Sequence, residues 1–132
     1  MSTYILDAGS FKLVIGLKTF EEDVQYPSNT IMSISVISGD FSASTDMDID
    51  IKQFALFVMN LKNVYEELDG IAKIEEPYGY HKYISFAASE TGHIVVKGYL
   101  CDDMKNNEFF FENDFDQTFL KSFVNELVCS YL

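Results

Sequence analysis

The chain has 132 residues and a formal net charge of −12, from 21 Asp and Glu against 9 Lys and Arg. Its composition, 48% hydrophobic and 15% aromatic, excludes a disordered chain and fits a single domain that builds its core without disulfides or metal. The charge argues against nucleic acid and anionic membranes as partners and favours a basic protein surface, although acidity of this kind also serves plain solubility.

In chain order, residues 4–6 read as a short apolar strand and Ala8-Gly9-Ser10 as a turn. The opening residues lack a basic region followed by a long apolar run, so no signal peptide is expected. Residues 11–20 read as a second strand, with Leu13, Ile15 and Leu17 on one face and Gly16 suggesting a bulge. Residues 21–30 are polar and read as a loop. Residues 31–50 form a predicted hairpin about Ser38-Gly39-Asp40. Met32, Ile34 and Val36 share one face of it, Ser33 and Ser35 the other, as in a half-solvated antiparallel sheet.

The first helix is predicted over residues 51–68. Ile51, Phe54, Ala55, Val58, Leu61, Val64, Tyr65 and Leu68 fall at three- and four-residue steps, and Phe57 widens the stripe. Leu56 and Met59 lie off it. Asp48 or Asp50 supplies the N-cap and Asp69-Gly70 the stop. The longest uncharged apolar run, residues 54–59, is too short to cross a bilayer.

Strands are predicted over residues 71–74, 80–89, 92–101 and 109–115, with Pro77-Tyr78-Gly79 and Glu90-Thr91-Gly92 as breaks. Ile94, Val96, Gly98 and Leu100 form an inward set. Asn106-Asn107 is suited to the positive φ of the turn between the last two strands. Asp116 is placed to cap a helix over about 117–131, with Phe119, Leu120, Phe123, Val124, Leu127, Val128 and Tyr131 as its apolar face. That helix is expected to cover a hairpin face made by Ile94, Val96, Phe109 and Phe111. Short turns between neighbouring strands imply antiparallel pairing. The fold class is therefore α+β: one domain of mainly antiparallel sheet with two amphipathic helices packed on it.

Reaction chemistry finds little support. Asp46-Met47-Asp48-Ile49-Asp50 has half the spacing of a calcium loop, but Ile51 and Phe57 stand where the glycine and the bidentate acid belong. Those carboxylates are better placed to cap the helix start. His81 and His93 lack any zinc-type spacing and read as surface residues. Cys101 and Cys129 read as small apolar core residues in a reducing compartment. No phosphate loop, dinucleotide fingerprint or nucleophile elbow occurs. No catalytic residue, metal or cofactor is expected.

One stretch carries more than fold. Between residues 102 and 116, Asp102, Asp103, Glu108, Glu112, Asp114 and Asp116 face a single basic residue, Lys105. Asp102, Asp103, Glu108, Glu112 and Asp114 surround Phe110, which alternation puts on the outside. An acidic rim about an aromatic anchor is what docking of a basic protein requires, while charge on an outer strand also guards against sheet-to-sheet pairing. A second possibility is a small-molecule or peptide site on a sheet face lined by Tyr78, Tyr80, Tyr83 and Tyr99.

The same region carries a family resemblance. Gly92-His93-Ile94 with Val96 and Gly98, then Asn107, Phe109 and Phe111, then Asp116-Gln117-Thr118 with Leu120, resembles the WapI-type immunity proteins of bacterial polymorphic toxin systems. Gly39, Phe41, Phe54, Leu61, Tyr65, Leu68, Gly70, Ala72 and Glu76 add to the likeness, which covers about residues 30–132. The chain departs from the family in having no Trp near Ile31. The resemblance implies a cytoplasmic, non-enzymatic protein that neutralises a cognate toxin domain, commonly a nuclease, by direct contact. A nuclease presents a basic cleft, which suits a −12 partner. The resemblance also implies structural roles for Gly98, Phe109, Phe111 and Asp116. Oligomeric state is left open.

Overall fold

Alternating apolar residues fold the first fifty positions into a meander of β1 (Ser2–Asp7), β2 (Phe11–Thr19), β3 (Thr30–Ser38) and β4 (Phe41–Ile49). The computed structural model describes residues 2–132. After α1 (Ile51–Glu67), a second meander follows: β5 (Ile71–Glu75), β6 (Tyr83–Ala88), β7 (His93–Cys101) and β8 (Glu108–Asp116). The chain ends in a 3-10 turn, Gln117–Leu120, and α2 (Lys121–Tyr131).

The strands thus divide into two four-stranded antiparallel sheets, each in sequential order. Both turn an apolar face to one core. The first sheet contributes Leu6, Phe11, Leu13, Ile15, Met32, Ile34, Val36 and Met47, and the second Ile74, Ile84, Phe86, Ile94 and Val96. Phe54, Phe57, Val58, Leu61 and Val64 of α1, and Phe123, Val124 and Leu127 of α2, fill the same core. Leu56 and Met59 are exposed, as their phase requires.

Several local expectations need correction. Pairing runs through Gly16 to Thr3 and Ser33 without a bulge. α1 stops on Leu68, which takes the left-handed conformation (φ 51°) as its N–H bonds the Val64 carbonyl, ahead of Asp69-Gly70. β6 begins at Tyr83, since positive φ at Gly79 and His81 keeps the preceding residues in a loop. In the β7–β8 turn it is Lys105 that has positive φ. Asp102 holds the Asn106 and Asn107 amides at 2.8 and 3.3 Å and leaves the reversal to its neighbour.

Asp116 caps the chain as predicted, accepting from Thr118 N–H at 2.9 Å, but the turn it opens is 3-10. That phase change leaves Phe119 exposed while Leu120 is buried. Cys101 is buried, whereas Cys129, off the apolar stripe of α2, is exposed. At Phe111 and Phe115 the β7–β8 face is closed by the other sheet, Phe11 stacking on them at 5.9 and 6.1 Å, while the last helix meets the second sheet through Phe123, 6.5 Å from Phe86. α2 lies along α1 and β1, where Tyr131 meets Tyr4 and Phe54.

Candidate functional site

The outer face of the second sheet is built by its register. Tyr83 pairs with Tyr99, and Tyr99 with Phe110, so an aromatic row crosses three strands. The next row is Lys73, Ser85, Lys97 and Glu112, and the next Ile71, Ala87, Val95 and Asp114. Phe110 stands 72% exposed, with its ring 4.7 Å from that of Tyr99, which is itself only 8% exposed. Lys73 Nζ lies 4.5 Å from the centre of the Tyr83 ring.

The carboxylates predicted to rim Phe110 are largely committed to neighbours. Asp102 accepts the Asn107 side-chain amide at 2.7 Å as well as the two loop N–H groups, and these bonds hold its carboxyl below the ordinary value. Glu108 accepts the Tyr99 hydroxyl at 2.6 Å, which pushes the Tyr99 phenol well above its ordinary value. Glu112 lies 3.6 Å from Lys97, and Asp114 bonds His93 Nδ1. Asp103 stands apart, beside Tyr78, Tyr80 and Lys82 at a small cavity of about 220 Å³. The structure therefore brings Phe110, Glu108, Glu112 and Asp114 onto one strand, with Asp102 and Asp103 in the adjoining turn. It adds Lys73 and Lys97, so the face is of mixed sign.

The four tyrosines do not line one face. Tyr83 and Tyr99 belong to the outer sheet surface, whereas Tyr78 and Tyr80 sit in the β5–β6 loop. The Asp46–Asp50 run also disperses. Asp46 and Asp48 lie on the outward-phase positions of β4, and Asp50 caps α1 by accepting Lys52 N–H at 2.9 Å. Among the described residues, no three His, Cys, Asp or Glu side chains converge as metal ligands would.

One feature left no trace in the sequence pattern. Glu76 and Lys82 are both buried, with 3.7 Å between Oε2 and Nζ, at the junction of the two sheets. Lys82 Nζ donates to the Asp46 carbonyl, and Glu76 Oε2 accepts Asp48 N–H at 3.3 Å. Both residues flank a loop, where charge ordinarily means exposure. Only the partner strand, far away in sequence, makes them internal.

A groove of about 370 Å³ lies beside this junction, between residues 42–45 of β4 and the end of the β7–β8 hairpin. Asp102 and Glu108 stand on its rim, and no Lys or Arg lines it.

No curated protein and no solved structure matches the chain significantly. The family model described as "Immunity protein WapI-like family" matches residues 6–128. The match takes in the end of β1, Leu6 and Asp7, and all of β2, so the likeness reaches further than the motif residues after position 30 suggest. Spanning nearly the whole two-sheet domain, it shows that the chain belongs to the WapI-like immunity protein family.

Proposed function

We propose that this protein is a cytoplasmic, non-enzymatic inhibitor that binds a cognate bacterial toxin domain and neutralises it by direct contact. Family membership over residues 6–128 carries this reading. The net charge of −12 supports a basic partner, and a nuclease, which must attract phosphate, is the toxin class whose cleft fits best. The contact surface in this reading centres on Phe110, with Glu108, Glu112, Asp114, Asp102 and Asp103 around it. An exposed aromatic on a rigid sheet loses little conformational freedom on burial, which is what an interface anchor needs. A tyrosine-lined small-molecule or peptide site has less support, because the four tyrosines divide between the sheet and a loop.

The test is co-purification with the toxin domain encoded immediately upstream, together with survival of cells expressing that domain. Binding and protection support the proposal; failure of both defeats it. Phe110→Ala locates the contact. With Phe110 72% exposed, its truncation should change stability by no more than about 0.5 kcal/mol. Affinity for the toxin should fall about tenfold or more.

A further inference from the structure

The edge of β4 is closed along one half and open along the other. Gly39 N–H donates to the Ser10 carbonyl at 2.9 Å, so the odd-numbered residues of β3 bond β2 and the even-numbered ones bond β4. By register, Phe41, Ala43, Thr45, Met47 and Ile49 turn their backbone groups to β3. Ser42, Ser44, Asp46 and Asp48 turn theirs away from the sheet. At Asp46 and Asp48 the buried Lys82–Glu76 pair takes up one carbonyl and one N–H, as a neighbouring strand would. At Ser42 and Ser44 the backbone instead faces the 370 Å³ groove.

We propose that this open half-edge receives an extended segment of the protein partner by strand addition, a basic segment alternating with apolar side chains. The inference rests on the toxin-binding reading and names how that partner is held. Three observations select the occupant. The groove offers main-chain donors and acceptors that a strand completes. Ala43 and Phe109, both half-buried, supply apolar surface for alternate side chains, and Asp102 and Glu108 supply negative charge at the rim, with Lys105 4.0 Å from Glu108. The stretch from Ser42 to Thr45 spans about 10 Å, room for three or four residues of extended chain.

The other sheet edges are poorer seats. β1 lies against α2 and β5 against α1. β8 carries Glu108, Glu112, Asp114 and Asp116 along its length, the pattern that discourages strand pairing. Ser42, Ala43 and Ser44 have no such guard.

Ser44→Pro tests the inference, since it removes an N–H that points away from β3, a position where an edge strand accepts proline. With the full chain and the cognate toxin domain, Ser44→Pro should weaken binding about tenfold or more while far-UV circular dichroism is unchanged. Amide hydrogen exchange on the wild-type complex gives a second readout that survives any misfolding of the variant: the Ser42 and Ser44 amides should become protected. Full affinity in a folded Ser44→Pro variant, or unprotected Ser42 and Ser44 amides in the complex, overturns strand addition and leaves toxin neutralisation standing. Absence of any binding by the wild-type chain overturns both.

Discussion

At Gly98 a missing methyl group lets two strands close over β7. A Cβ there would fall on the Phe111 ring and lie 2.9 Å from the Tyr83 carbonyl. Gly98→Ala should therefore destabilise by about 1–3 kcal/mol in urea unfolding, and combination with Phe111→Leu should cost less than the two changes summed. Lys82→Met leaves the Glu76 carboxylate buried without its cation and should cost about 3 kcal/mol or more, with Glu76→Gln/Lys82→Met less damaging than the single change predicts. Alternation and turn chemistry made Gly98, Phe110 and the inward set of β7 legible, because those signals are local. The burial of Glu76 and Lys82 was not, because it depends on β4, 28 and 36 residues away. The rim carboxylates were legible as charges but not as ligands. Whether Asp114 meets His93, or Glu108 meets Tyr99, depends on cross-strand register, which alternation leaves open by steps of two residues.

The helices show where sequence signals reach elements and where they stop. Asp50 both caps α1 and accepts the buried Asn29 side chain at 3.1 Å. Asp50→Ala should cost about 1–2 kcal/mol in thermal or urea unfolding. The apolar stripe of α1 locates its buried face, Phe54, Phe57, Val58, Leu61 and Val64, but overruns at Leu68, which lies past the helix end and is exposed. The start of α2 was less legible. A 3-10 first turn changes the phase by which Phe119 and Leu120 were placed, and helical spacing alone does not report it.

Acid response belongs to these caps and turns. Thr118 N–H lowers the Asp116 carboxyl, and the Asn107 side chain lowers that of Asp102. In the unfolded chain both return to about 3.9, so between the native and unfolded values the unfolded state binds more protons. Their stabilisation is complete above that unfolded value and is lost as pH falls through the lowered native ones. Thermal melts from pH 7 to pH 3 should show this decline, and Asp102→Asn/Asp116→Asn should flatten its acid limb. An unchanged acid limb in the double variant would assign the decline to other carboxylates.

Across the whole molecule, antiparallel pairing and the α+β class followed from short turns and period-two strands. The division into two sheets did not, because nothing local says that α1 separates β4 from β5 in pairing as well as in sequence. Function was legible only through family likeness. The charge of −12 states what kind of surface the chain attracts, but not where contact occurs. The most direct test of the central claim is calorimetric titration of the full chain with its cognate toxin domain at low and high salt. A stoichiometric complex is expected, weakened about tenfold or more both by Phe110→Ala and by salt that screens opposite charges. Absence of binding, or binding indifferent to both salt and Phe110, would contradict it.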